Sequence, residues 1–320
     1  MWIFKKSFII AVVFLIAILF SVEAMAEMKI GILMFSEENR YNEASKGMMD
    51  QLKAEGFGEP GVKFIIGNAG GNRAKAAELV QKFAIAKMDL IFTLGTSAII
   101  ATSREIKDVP IVFGMVYDPV AIGVAKDWKS SGNNTTGVSP NVPMSLIMDR
   151  LKEIIPAKRV AVLYTPGERN SEIQLNNLQK IQADYKIKVI PVPLSSMEEA
   201  EQILPEVVRT SDAIYITGSN MVSTVIPMTI DMANKAKVVT MSHLEDIIEK
   251  GALLGVCPDS YLLGRHAGEK AVKILRGANP SSIPIEAIKE YDLLINMKTA
   301  KAGQFQIPPE FMKKVKRKIQ

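Results

Sequence analysis

One cysteine, Cys257, stands in 320 residues, so the chain has no partner for an intrachain disulfide and no thiolate cluster for a metal. Only two histidines occur, His243 and His266; they lack H-x-x-x-H spacing and match no Ser/Asp arrangement of a hydrolase. The glycine cluster Gly67–Asn72 lacks the Lys-Ser/Thr of a P-loop and the spacing of a dinucleotide fingerprint, and so reads as a plain βα turn. Gly95-Thr96-Ser97-Ala98 lacks the second glycine of a nucleophile elbow. Aromatics make up 7%, and the +5 net charge is not arranged as a basic stripe interleaved with aromatics, which argues against nucleic acid. These absences leave no catalytic constellation, no metal site and no cofactor motif, and an exported enzyme is the weakest reading.

A long apolar run is present once. Lys5 and Lys6 precede Ser7–Val22, followed by Ala24-Met25-Ala26: a charged start, an apolar middle and an A-x-A end. This is the pattern of a secretory signal peptide over residues 1–26, cut before Glu27; an uncleaved anchor is the rival. No cysteine at its end can carry a lipid. The expected location is therefore periplasmic and unlipidated.

Hydrophobic residues at 48% can form a large core or two ordinary ones. The centre of the pattern is residues 89–119. Apolar Leu90–Leu94 meets Gly95-Thr96-Ser97, a helical segment follows, and Ile111–Val116 ends at Tyr117-Asp118-Pro119. This reads as a βαβ unit with Thr96 or Ser97 capping the helix. Strands and helices alternate on both sides of it, and the series restarts at Arg159–Tyr164. The expected fold is α/β, two Rossmann-like lobes with mostly parallel sheets. Residues 27–140 plus about 258–285 are assigned to the first lobe, and 141–257 plus about 286–320 to the second. The basic run Lys313–Lys318 reads as the solvated face of a last helix spanning about 308–318.

Ligands of such sheets bind beyond the carboxyl ends of strands, where helix N-termini present free N–H groups. The turns in that position nominate Ser36, Tyr41, Thr96, Ser97, Tyr117, Asp118, Ser139, Tyr164, Glu168, Ser171, Gly218, Ser219 and Asn220. Asp118 can accept from a ligand ammonium or cap its own turn. Thr96 and Ser97 can bind a ligand carboxylate or cap a helix. Tyr41, Tyr117 and Tyr164 can wall an aromatic ligand or fill the core.

Several stretches resemble the ABC-transporter substrate-binding proteins of the tryptophan/tyrosine-binding type, with a type I periplasmic-binding-protein fold. They are DLIFTLGTSA (89–98), PIVFGMVYDPVAIGVAKDW (110–128), NNTTGVS (133–139), VLYTPGERNS (162–171), GVCPDSYLLGRHAGEKAVKILRGANP (255–280) and LLINMKTAKAGQFQIP (293–308). The resemblance implies two lobes closing on a small amino-acid-like or aromatic ligand, delivered to an inner-membrane permease. It places Thr96, Ser97, Tyr117, Asp118, Ser139, Glu168, Ser171, Asn220 and Asp259 at the cleft. One turn departs: the family's Thr-Asp-Asn is Gly218-Ser219-Asn220 here, without the carboxylate. A receptor that signals through a membrane protein instead of feeding a permease is the alternative.

Overall fold

The computed structural model describes residues 27–320; the expected signal peptide, 1–26, lies outside them. Among the described residues, no helix is long and apolar enough to cross a membrane.

Short apolar runs without interruption form strands buried on both faces, as parallel sheets require. Leu90–Leu94 (β3) and Ala213–Ile216 (β8) are buried at every position. The first sheet has the order β11-β5-β4-β3-β1-β2, from Met28–Met34 (β1), Val62–Asn68 (β2), β3, Ile111–Gly114 (β4), Thr135–Ser139 (β5) and Glu286–Ala287 (β11), all parallel. The second has the order β13-β12-β10-β9-β8-β6-β7. It is built from Arg159–Tyr164 (β6), Lys188–Pro193 (β7), β8, Val239–Ser242 (β9), Leu254–Pro258 (β10), Tyr291–Asn296 (β12) and Arg317–Ile319 (β13). Only the β10–β12 pair is antiparallel.

Helices cover both sheets: Asn39–Ala54 (α1), Arg73–Ala86 (α2) and Thr96–Glu105 (α3) in the first lobe; Met144–Lys152 (α4), Arg169–Ile181 (α5), Met197–Thr210 (α6), Asn220–Ala236 (α7) and Glu245–Glu249 (α8) in the second. The chain returns to the first lobe as Ser260–Leu275 (α9), then ends in the second with Met297–Ala302 (α10) and Pro309–Lys314 (α11). It therefore passes between the sheets three times: after β5, after β10 and after β11. Because β11 pairs with β5, the third passage falls at 288–290, a few residues beyond the 285/286 division expected.

The helix after Gly218 begins at Asn220, with Pro227 inside it, because Ser219 Oγ accepts from Val222 N and caps it. The basic C-terminal run is not one helix. The helix ends at Lys314, Val315 takes an extended conformation, and 317–319 adds a parallel strand to β12. Four of its five charges are paired: Lys313 with Glu310, Lys314 with Glu153, Lys316 with Asp292 and Arg317 with Glu245.

The return of α9 onto α1 fixes the first lobe, and small residues make it possible. A Cβ on Gly264 would lie 2.0 Å from the Ala44 carbonyl oxygen, and one on Gly47 would lie 2.1 Å from that of Tyr261. Both obstacles are backbone, so neither can turn aside. Gly264→Ala must part the helices, at about the 1–3 kcal/mol of an overpacked core. Urea unfolding should show that loss.

Candidate functional site

The carboxyl ends of the two sheets face each other. Between them lies a small cavity of about 50 Å³, lined by residues of both lobes. The cleft is thus nearly shut. Four contacts bridge the lobes across it. Arg40 Nη1 donates to Asp246 Oδ1 at 2.5 Å, Arg73 to the Gly167 carbonyl at 3.1 Å, Arg169 to that of Ala121 at 3.4 Å, and Asn220 Nδ2 to that of Gly71 at 3.4 Å.

The Arg40 pair is the most enclosed: the side chains of Arg40 and Asp246 are 9% and 5% exposed. Glu38 of its own lobe sits 3.0 Å from the same guanidinium. Burial alone would lower the Arg40 pKa, but Asp246 and Glu38 outweigh it and hold the cation firmly charged.

One wall of the cavity is the turn into α3. Gly95 occupies the cap position at φ +98°, and its missing Cβ makes room for the Tyr41 hydroxyl, which would lie 2.7 Å from it. The expected side-chain cap is not formed: Thr96 and Ser97 are the first helical residues, and neither hydroxyl has a protein partner among the described residues. Their N–H groups and hydroxyls border the cavity together. Opposite them, Glu168 Oε2 accepts from Asn220 N at 3.2 Å, at the start of α7. Burial raises the Glu168 pKa, against those hydrogen bonds and Arg73.

Of the residues nominated from sequence, Tyr41, Thr96, Ser97, Tyr117, Glu168, Gly218, Ser219 and Asn220 line the cavity. Six are placed elsewhere, each for a physical reason. Asp118 Oδ1 is taken by the N–H groups of Val120 and Ala121, the capping alternative. Ser36 Oγ donates to Glu38. Ser139, fully buried, donates to the Tyr117 carbonyl and accepts from Asn141 N. Ser171, also fully buried, ties down the 165–168 turn through the carbonyls of Thr165 and Glu168. Tyr164 packs on the second lobe's core. Asp259 is exposed and caps α9 through Leu262 N.

Sequence reasoning missed Phe35, Arg40, Met115, Pro140, Asn170, Gln174, His243 and Leu244 on the cavity wall. Met115 and His243 follow strand ends, the same signal that nominated the others. Strand β4 stops at Gly114, one reason being that Met115 turns to φ +57°. His243 was set aside for want of metal spacing, a test that bears on ligation and not on placement in a cleft.

Strand order sorts the wall. Residues after β4, β5 and β9 (Met115, Tyr117, Pro140, His243, Leu244) lie toward the chain passages and are largely apolar. Those after β3, β6 and β8 (Thr96, Ser97, Glu168, Ser219, Asn220) lie farther out and are polar. At the inner end Tyr117 meets His243 edge-on, ring centroids 5.2 Å apart, and donates to the Val142 carbonyl at 3.2 Å. Among the described residues, no group of His, Cys, Asp and Glu is placed to hold a metal ion.

Two lobes joined by three passages and meeting over a small polar-and-aromatic cavity are the architecture of a solute-binding protein. The chain belongs to the ABC transporter substrate-binding proteins: the family model described as "ABC transporter substrate binding protein" matches residues 29–319. It is 28% identical over 286 residues to a tyrosine-binding protein of Clostridioides difficile (strain R20291), covering 89% of this chain and 83% of that one. Among solved structures it resembles an ABC domain from Streptococcus pneumonia in complex with L-Trp, with a TM-score of 0.86 at 26% identity, covering 92% of this chain and 100% of that one. The likeness to a ligand-free, open substrate-binding protein with adhesive properties from Clostridium difficile is lower, with a TM-score of 0.74 at 28% identity, over 91% of this chain and 98% of that one.

The imidazole at the inner end sets a pH dependence. Burial, with Arg40 adding to it and Asp246 opposing, lowers the His243 pKa to about 3. The unfolded chain, with an ordinary histidine, takes up a proton near pH 6.5 that the folded chain refuses. Stability is therefore lost as pH falls from about 6.5 toward 3, by roughly 1.4 kcal/mol per pH unit from this group. Urea unfolding of the wild type against His243→Gln should isolate that slope from the carboxylates, with the variant flatter between pH 6.5 and 4.5.

Proposed function

We propose that this chain is the extracytoplasmic receptor of an ABC uptake transporter, closing its lobes on an aromatic L-amino acid and presenting it to a membrane permease. The observation that carries this reading is the division of one closed cavity. Its outer half sets the Glu168 carboxylate against the N–H groups and hydroxyls of Thr96 and Ser97, and its inner half is walled by Tyr117, Met115 and Pro140.

A zwitterion suits the outer half. An α-carboxylate gains hydrogen bonds and a favourable helix-end potential at α3. An α-ammonium across the cleft finds Glu168, which replaces the aspartate missing from Gly218-Ser219-Asn220. Closure removes both from water, which strengthens each contact and requires both to be made. The side chain then points to the aromatic half. The relatives that bind tyrosine and L-Trp support the same ligand class.

Isothermal titration with L-tyrosine and L-tryptophan tests this. Glu168→Gln should weaken both by roughly 2 kcal/mol, the lower end of the cost of truncating a buried charge partner, since the group is only partly enclosed. Asp118→Ala, whose carboxylate serves its own turn, should leave affinity unchanged and lower stability by about 0.5–2 kcal/mol. Equal losses in the two variants would move the ligand away from Glu168.

The periplasmic placement rests on the 1–26 pattern. Mass spectrometry of the protein from an osmotic-shock fraction should find a chain beginning at Glu27. An intact Met1 chain in the membrane pellet would make it anchored instead.

A further inference from the structure

We propose that His243 determines which aromatic side chain the cavity accepts, by donating a hydrogen bond from Nε2 to a neutral oxygen on the ligand ring, so that the site favours a phenol over a bare phenyl or an indole. This inference rests on the aromatic amino-acid reading above and names the ligand within that class.

The direction of the proton follows from the partners. Tyr215 is fully buried, and its hydroxyl has one protein partner among the described residues, His243 Nδ1 at 2.6 Å. If Nδ1 carried the proton, the Tyr215 O–H would point into the apolar core without an acceptor, a costly arrangement. Tyr215 is therefore the donor and Nδ1 the acceptor. A neutral imidazole whose Nδ1 accepts must carry its proton on Nε2. Among the described residues that nitrogen has no hydrogen-bond partner, and it is not among their buried polar atoms sealed off without one. The space that His243 borders is the ligand cavity. Its neighbours hold the ring in place, nearly coplanar with Tyr215 through their hydrogen bond and edge-on to Tyr117.

At the inner end this donor stands almost alone. The Tyr117 hydroxyl is committed to Val142, and Arg40 is held by Glu38 and Asp246. Arg40 is paired with both carboxylates and Lys250 with Asp246, so these cations are committed, and a neutral acceptor on the ligand fits. A phenol oxygen accepts; a phenyl ring cannot, and an indole N–H is a donor only. A site built to hydrogen-bond a hydroxyl rejects analogues that leave its buried donor unpaired. Tyr215, which reaches no ligand, is the positioning residue that keeps the proton on Nε2.

Isothermal titration of the mature protein with L-tyrosine, L-phenylalanine and L-tryptophan is the test. L-Tyrosine should bind roughly ten- to a hundredfold more tightly than L-phenylalanine. His243→Phe should remove that preference while still binding L-phenylalanine, and His243→Gln, whose amide nitrogen can take the place of Nε2, should restore part of it. Tyr215→Phe should narrow it as well. Equal wild-type affinity for tyrosine and phenylalanine would overturn this inference and leave the aromatic amino-acid reading standing. Binding of neither would overturn both. A preference that persists in His243→Phe would also overturn the role of His243. Should that variant not fold, the wild type still decides: long-range proton–nitrogen NMR, with His266→Gln assigning the two histidines, should show His243 protonated on Nε2, and a proton on Nδ1 would refute the proposal.

Discussion

Everything in this molecule depends on a constraint of parallel sheets. Strands joined by right-handed crossovers all finish on one edge, and the helices that follow begin there with their N–H groups unspent. One such edge is half a binding site. Two of them face each other here because the chain passes between the sheets after β5, β10 and β11 and returns each time. The polar ends of α3 and α7 then oppose one another across the cleft, and α9, seated on α1 through Gly47 and Gly264, keeps the first lobe in register with the passages. The cavity is a consequence of topology before it is a consequence of any side chain.

Closure is where the energetics become specific. A buried ion pair such as Arg40–Asp246 stabilises little in net terms, because desolvation offsets much of the Coulomb attraction. Its value lies in what it forbids. With the lobes apart, Asp246 and Arg40 can return to water; partly closed, they would lose hydration without meeting. The pair therefore favours fully open or fully shut arrangements over those between. On the proposed reading, a ligand spanning Glu168 and the α3 terminus would bias the same equilibrium, since its two charged groups would touch opposite lobes. The weaker bridges of Arg73, Arg169 and Asn220 to backbone carbonyls lie at the outer rim and add orientation.

The fold was legible in the sequence because buried strands are short apolar runs and Gly, Ser and Thr punctuate them. Two alternating series gave two lobes, and the family resemblance agreed. Eight of the fourteen nominated residues border the cavity for the same reason: Gly95-Thr96-Ser97 and Gly218-Ser219-Asn220 are turns at strand ends, and strand ends are where the cavity is. Small polar residues were the failure. Ser139 and Ser171 occupy the right turns, but their hydroxyls serve nearby carbonyls, and a sequence does not distinguish a hydroxyl spent on the backbone from one left for a ligand. Asp118 had the same ambiguity and became a cap. Arg40 acquires its place from Asp246, 206 residues away. His243 acquires its own from Tyr215. The C-terminal strand was hidden by a run of lysines, most of whose partners lie on other elements.

The central claim is that the shut cleft is shaped for a zwitterionic aromatic molecule, and selection from a mixture tests it most directly. The mature protein, stripped of any resident ligand by unfolding and refolded, would be offered equal amounts of amino acids and neutral sugars, then examined by native mass spectrometry. Retention of an aromatic L-amino acid as the dominant bound mass is the expected result. A bound sugar, or an aliphatic amino acid held in preference to every aromatic one, would contradict the account.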